Sequence, residues 1–245
     1  MISLFQKKFP AATEARIDGQ RIEIAVRVSA RARSYRLSIP HRGAPVLTVP
    51  RYGRWSEAQA FLDRQTGWLA ARLKRAPARV AFAAGARVPV RGVDHLILAT
   101  GKIRGRVEAG EVDALPALFV PGEPAHQGRR LTDWLKAEAL ADLEVRVAIH
   151  AGTLGVTANA VRLRSQVTRW GSCSSTGRLN FNWRLILAPP FVLDYVAAHE
   201  VAHLIEMNHS PAFWQTVERT LPDMARGRAW LKAHGNQLMS YGHEG

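Results

Sequence analysis

Cysteine, acidic side chains and long apolar runs are all scarce in this chain of 245 residues. The single cysteine, Cys173, excludes an intrachain disulfide framework and is typical of a reducing compartment. No segment approaches the roughly 18 uncharged apolar residues of a membrane span, and residues 1–8 lack the apolar stretch of a secretory signal. We therefore expect a cytoplasmic protein with no membrane partner.

The shortage of acidic residues is greatest in the N-terminal third. The whole chain has 34 Lys and Arg against 20 Asp and Glu, whereas residues 1–80 have 16 against 5. The most closely spaced basic residues there are Arg27, Arg31, Arg33, Arg36, Arg42, Arg51 and Arg54. This concentration predicts a surface for nucleic acid or another polyanion. The alternative is a solvated basic face, because arginine is used in preference to lysine throughout the chain.

The most informative segment is residues 199–209, which sets His199, Glu200, His203 and His209 close together in the sequence. On an α-helix, residues four apart lie on one face, so His199 and His203 can reach a common metal ion. Glu200 is rotated by about 100° from His199. Its carboxylate therefore lies beside the ligands, where it is the candidate general base of a hydrolase.

His209 reaches the same ion only if the helix ends after His203, because on an unbroken helix it would point about 120° away from His199. Asn208 tolerates the left-handed conformation that ends helices, and Ser210-Pro211 is typical of a new helix start. We expect His209 to turn back to the metal from this corner. Glu206 stands where the metzincin pattern has glycine, and Glu218 is the alternative third ligand.

Three imidazole ligands would leave the fourth position of one Zn²⁺ ion per chain for water, as in catalytic zinc sites. A metal-free explanation, in which a buried apolar helix carries these polar groups unaided, is energetically costly. The candidate contacts to substrate or transition state are Arg169, Asn182, Arg184 and Tyr195.

Three functions remain open at this point. The first is a zinc-dependent hydrolase acting on peptide or protein, which needs a groove along a strand edge. The second is a nucleotide hydrolase that cleaves a phosphoanhydride at the same site, which needs arginines converging on the metal. The third is a nucleic-acid-binding module with structural zinc, which is disfavoured because structural sites usually close all four positions with Cys or His.

The order of predicted elements indicates an α+β fold with a domain boundary near residue 125. An alternating pattern over residues 22–28, 34–39 and 46–49 predicts an antiparallel meander, and Ser56 with Gln59 predicts a capped helix over 56–75. A helix is expected over 129–151 and strands over 160–164, 166–170 and 179–187. The two domains are thus a β-rich basic domain over 1–125 and a catalytic domain over 126–245.

Several short motifs carry a family resemblance. They are Arg-Trp-Gly-Ser-Cys-Ser at 169–174, Asn-Trp-Arg-Leu at 182–185, Met-Asn-His-Ser at 207–210 and Phe-Trp at 213–214. Together with the histidine segment they resemble the YgjP-like metallopeptidase family, relatives of the SprT-like and WLM zinc peptidases. The resemblance extends over nearly the whole chain. It implies a zincin-like catalytic domain, with an active-site helix against a small sheet, preceded by a β-rich domain. It also implies zinc on His199, His203 and His209, with Glu200 as base.

Overall fold

The computed structural model describes residues 9–40, 44–74, 80–166 and 168–242, and the chain divides into two compact units. The units are Met1–Ala76 and Pro77–Gly245. Within the described ranges, no helix combines the length and the apolar composition needed to cross a bilayer.

The first unit is a four-stranded sheet with two helices on one face. Its elements are β1 (Ala12–Ile17), β2 (Gln20–Ser29), β3 (Arg36–Ser38), β4 (Val46–Pro50), α1 (Trp55–Arg64) and α2 (Thr66–Lys74). The strand order is β1-β2-β4-β3, and β2 pairs with β4 in parallel, so the predicted antiparallel meander is wrong at this point. Leu62 and Leu69 of the helices pack on Ile24 and Leu47. Helix α1 begins without the predicted side-chain cap.

The second unit begins with another four-stranded sheet, which packs against a long helix. The elements are β5 (Arg87–Val90), β6 (Val93–Ala99), β7 (Glu108–Val112), β8 (Leu115–Val120) and α3 (Pro124–Leu154), with strand order β5-β6-β8-β7. Leu118 of this sheet shares a core with Leu131 and Leu135 of α3 and with Trp183. The sheet therefore belongs to the second unit, whereas the boundary predicted at residue 125 placed it in the N-terminal domain.

The rest of the second unit combines a three-stranded sheet with three helices. The elements are β9 (Ala160–Arg164), β10 (Gly171–Cys173), β11 (Arg178–Asn182), a 3-10 helix (Trp183–Leu187), α4 (Pro190–Ala202), α5 (Pro211–Thr220) and α6 (Met224–Leu238). The strand order is β10-β11-β9. The strand predicted over 179–187 ends at Asn182, and because it is central it cannot add a substrate strand. The edge strands are β10 and β9.

Helix α4 is buried on nearly every side. Proline at its first turn suits a helix start, and Val192, Leu193 and Ala198 contribute to three different apolar clusters. A helix that is apolar all round belongs in a protein core. The polar side chains near its C-terminal end are therefore exceptions that require an explanation.

A hydrogen-bonded network holds α4 to its neighbours through Asp194. His150 of α3 donates from Nε2 to Asp194 Oδ1 over 2.7 Å, and Arg146 Nη2 donates to Asp194 Oδ2 over 2.6 Å. The other nitrogen of His150, Nδ1, lies 2.8 Å from Thr220 Oγ1 of α5. Burial alone would raise the pKa of Asp194, but its bonds to His150 and Arg146 outweigh burial and lower it. This network fixes α4 one and a half turns before the histidines.

Candidate metal centre

The three predicted histidines come together at the end of α4. Their candidate ligand nitrogens all lie within 4.8 Å of one another. His199 projects from α4, and His203 caps its C-terminal end. His209 precedes α5, and its Nε2 lies 3.1 Å from His199 Nε2. Glu218, the alternative third ligand, is not part of this group.

The turn between α4 and α5 explains how His209 returns to the site. The helix ends at Ala202, whose carbonyl accepts from Glu206 N over 3.0 Å and closes the turn. Asn208 does not adopt the left-handed conformation predicted for it; its Oδ1 instead accepts from Ser210 N over 3.1 Å. Ser210 caps α5 by accepting from Phe213 N, which confirms the predicted helix start. A local polar turn therefore replaces the expected left-handed corner.

The hydrogen bonding and protonation of the imidazoles favour binding of a metal ion. His203 Nδ1 donates to the Glu206 carbonyl over 2.9 Å, which leaves the Nε2 lone pair available. Burial, followed by the neighbouring histidines, lowers the pKa of His199 to about 3, and burial also lowers the pKa of His203. Neutral imidazole is the metal-binding form. A set of three imidazoles suits divalent transition metals, including zinc.

Aromatic rings enclose the histidines on the side of α5. The Phe213 ring stacks on His203 with 4.4 Å between centroids, and the Trp214 ring lies 5.7 Å from that of His209. On α4, the Tyr195 ring lies 5.9 Å from the His199 ring. These rings restrict the imidazole orientations and exclude water from part of the site.

Glu200 lies beside the histidines as a buried carboxylate. It is 4% exposed, and its Oε2 has no hydrogen-bond partner among the described residues. Burial raises its pKa to about 8, against a smaller opposing effect of Arg169. The β10 backbone lies directly on it, because a Cβ added to Gly171 would be 2.6 Å from Glu200 Cγ. An unpaired buried carboxylate next to metal-ligand candidates is suited to proton transfer.

A cavity of about 400 Å³ opens beside His199 and Glu200. Its walls combine apolar side chains with cations: Arg169, Trp170, Gly171, Tyr195, Val196, Arg228, Leu231 and Lys232. The cavity lies between the residues around β10 and helix α6. It gives a ligand access to Glu200 and His199.

A family model described as the YgjP-like metallopeptidase domain matches residues 33–234. The chain belongs to the YgjP-like metallopeptidase family. The match includes the whole histidine segment and supports a metal-dependent peptidase. One similar solved structure is the metallopeptidase zymogen of Pyrococcus abyssi abylysin, with 24% identity and a TM-score of 0.33. The similarity covers 37% of this chain and 93% of that chain. Comparison with curated proteins finds no match.

Two of the four substrate contacts predicted for this YgjP-like protein line the cavity, and two do not. Arg169 and Tyr195 are wall residues. Asn182 is 2% exposed, and its Oδ1 accepts from Arg184 N over 3.0 Å. The Arg184 guanidinium donates to the carbonyls of Tyr241 and Gly242, each over 2.9 Å. Asn182 and Arg184 therefore join the C-terminal segment to the core instead of facing a ligand.

Sequence reasoning missed Arg228, Lys232 and the contact of Gly171 with Glu200. Arg228 and Lys232 are four residues apart, so they share one face of α6. This spacing was visible in the sequence, but nothing local showed that the face borders the histidines. Cys173 is not in the histidine group, and its Sγ donates to the Ser174 carbonyl over 3.4 Å.

Proposed function

We propose that this protein is a zinc-dependent peptidase in which His199, His203 and His209 bind one zinc ion and Glu200 is the general base. The observation that carries the proposal is the convergence of three imidazoles beside a buried carboxylate oxygen that has no hydrogen-bond partner in the described part of the chain. Membership of a metallopeptidase family supports peptide hydrolysis as the reaction. The open cavity favours a catalytic zinc site over a structural one, because structural sites are usually closed.

The donor set supports zinc as the metal. Three histidine ligands and an accessible fourth position are a recurrent arrangement in catalytic zinc sites. When bound, the zinc ion polarises a carbonyl group and lowers the pKa of water.

Residues of this chain would supply proton transfer, hydrogen bonds to the oxyanion and binding of the peptide backbone. Glu200, in its ionised form, accepts a proton from the attacking water and transfers it to the departing amine. Burial also raises the pKa of Tyr195, so its hydroxyl stays protonated and can donate to the developing oxyanion. Arg169, which lines the same cavity, offers a second donor. The edge strand β10 supplies backbone groups along which an extended peptide can bind.

A phosphoanhydride hydrolase is the second candidate function. The specific observation in its favour is that Arg169, Arg228 and Lys232 line the cavity beside the histidines. Such cations can hold phosphates. The peptidase remains the preferred function because the family and the adjacent edge strand both support it.

The test combines metal analysis with hydrolysis assays. We expect about one zinc per chain, reduced in His199→Ala, His203→Ala and His209→Ala but not in Glu218→Ala. Glu200→Gln keeps the size of the side chain but cannot accept a proton. It should therefore retain zinc while turnover falls by roughly 100-fold or more. A peptide library and a set of nucleotides, each assayed with wild type and Glu200→Gln, separate the two candidate reactions.

Each part of the proposal can fail separately. If Glu218→Ala lost zinc and His209→Ala kept it, the third ligand would be Glu218. Equal turnover by Glu200→Gln and wild type would remove Glu200 as base. Hydrolysis of nucleotides without hydrolysis of any peptide would replace the peptidase by the second candidate.

A further inference from the structure

The cavity beside the histidines continues as a groove along α6. A second cavity of about 150 Å³ shares four wall residues with the first, Arg169, Trp170, Leu231 and Lys232. It extends past Gly235 and Asn236 to Met239. The two cavities therefore adjoin along one side of this helix.

Three cationic side chains line this groove without forming an ion pair to a carboxylate of the described residues. Arg169, Arg228 and Lys232 are exposed, and within the described ranges none lies within 4.0 Å of an acidic oxygen. Helix α6 contains no Asp or Glu from Met224 to Leu238. Glu200 is the only acidic residue in the walls of either cavity.

Two other arginines of the second unit, Arg91 and Arg146, are paired with carboxylates. Arg91 donates to Asp142 and Glu138, each over 2.8 Å, and Arg146 donates to Asp194. These pairs join elements of the fold. The unpaired cations of the groove are therefore available to a ligand, and Arg228 is oriented by the Trp214 ring, 4.4 Å from its Cζ.

The groove walls favour a compact anion over a diffuse polyanion. Trp170 and Leu231 line both cavities together with the cations and reduce the local dielectric, which strengthens ion pairing with a desolvated group. Arginine binds carboxylate through two parallel hydrogen bonds. Lysine or arginine side chains of a substrate would be repelled at the same place.

From these observations we infer that the α6 groove is a subsite for a substrate carboxylate close to the scissile peptide bond. The inference rests on the proposed peptidase function and adds a substrate class to it. The carboxylate is supplied either by an Asp or Glu side chain or by the C-terminus of the substrate. In both cases Arg169, Arg228 and Lys232 are the residues that determine specificity.

The experiment uses the full-length, zinc-loaded protein and four matched peptides. Each peptide contains a scissile bond that the library assay identifies. Near this bond the peptides have either Glu or Gln at one position, and either a free or an amidated C-terminus. We expect kcat/KM to be roughly 10-fold or more higher for a carboxylate-bearing peptide than for its amide partner, mainly through KM. If kcat/KM differs between the Glu and Gln peptides, the carboxylate is that of a side chain. If it differs between the free and amidated peptides, the carboxylate is the C-terminus.

Substitutions then connect that ratio to the groove. In Arg228→Gln and Lys232→Gln, the ratio of kcat/KM for the carboxylate peptide to kcat/KM for its amide partner should fall toward one. Arg226→Gln is the matched control, because Arg226 is on the same helix but its Cζ lies 3.9 Å over the Phe191 ring and outside the cavities. The ratio of this variant should equal that of wild type.

Binding measurements keep the inference testable if turnover fails. For this purpose the four peptides are built on the library peptide that binds Glu200→Gln most tightly. Titration calorimetry with Glu200→Gln should show tighter binding of the carboxylate peptide than of its amide partner. A ratio near one in both assays would overturn the carboxylate subsite while leaving peptide hydrolysis intact. If no peptide were hydrolysed but the carboxylate peptide still bound more tightly than its amide partner, the proposed peptidase function would be wrong and the carboxylate subsite would remain. Tighter binding of a nucleoside triphosphate than of every peptide would reassign the groove to phosphate.

Discussion

Arginines without nearby acidic residues occur in both units of this protein, but their surroundings differ. In the first unit, Arg27 and Arg36 flank Thr48 in adjacent strands at one end of the sheet. Residues 24–56 of this unit contain seven arginines and no Asp or Glu. In the second unit, the cations lie around a cavity with apolar walls.

The comparison shows that charge alone does not make a specific site. On an open sheet edge, cations remain hydrated and attract any polyanion in a salt-dependent manner. Beside the histidines, apolar walls and a reactive centre limit which anions fit. Tyr52, which is 86% exposed next to Arg51, adds a surface for base stacking to the first unit. Binding of nucleic acid there remains a proposal.

The largest expected effect is at the contact between Gly171 and Glu200, which has no counterpart on the basic surface of the first unit. Gly171→Ala would place a Cβ 2.6 Å from Glu200 Cγ and Cδ, so the carboxylate must move. We expect turnover to fall by roughly 100-fold, as when a catalytic group is misplaced by about 1 Å. Zinc content should stay near that of wild type.

The control is Ser172→Ala in the same strand, because successive side chains of a strand point to opposite faces. Normal turnover by Gly171→Ala would show that Glu200 tolerates displacement and would weaken its role as base.

A smaller effect is expected for the network that anchors α4. Asp194→Asn keeps the shape but removes the charge that His150 and Arg146 contact. At pH 7 the free energy of unfolding should fall by about 1.5–3 kcal/mol, the usual contribution of hydrogen bonds to a charged group. Urea denaturation of both proteins measures this difference.

The same network predicts how the difference depends on pH. The pKa of Asp194 is lowered in the folded state, so the ionised side chain stabilises the fold. This contribution to the free energy of unfolding is complete above the ordinary carboxyl pKa and is lost as the pH falls through the lowered pKa of the folded state. The stability difference between wild type and Asp194→Asn should therefore shrink as the pH is lowered through about 4. A difference independent of pH from 7 to about 3 would contradict the assigned ionisation.

The smallest expected effect concerns the sheet of the first unit. The full-length triple variant Arg27→Gln, Arg36→Gln, Arg51→Gln should bind single-stranded oligonucleotide more weakly, with the slope of log affinity against log salt reduced by about 2. Arg21→Gln is the control, since Arg21 lies 3.8 Å from Glu14. Fluorescence anisotropy at several salt concentrations measures both quantities. Equal losses in the two variants, or no binding at low salt, would reduce this surface to a solvated basic face.

Sequence reasoning succeeded where interactions are local and failed where they are not. It identified the histidine segment and the Ser210 cap because helix periodicity and capping depend on neighbouring residues. It placed Arg184 at the site because the strand pattern was extended past Asn182. The structure turns the chain into a 3-10 helix there and covers Arg184 with the C-terminal segment.

By itself, the sequence determined that His199, Glu200 and His203 lie at the end of a buried helix, since helical spacing settles their relative directions, and that His209 follows a break in that helix. Tertiary structure decided what surrounds them. Gly171 reaches Glu200, and Arg228 and Lys232 reach the cavity, only because β10 and α6 pack around α4. These contacts join residues far apart in the chain, and their formation depends on how whole elements bury their apolar faces against one another.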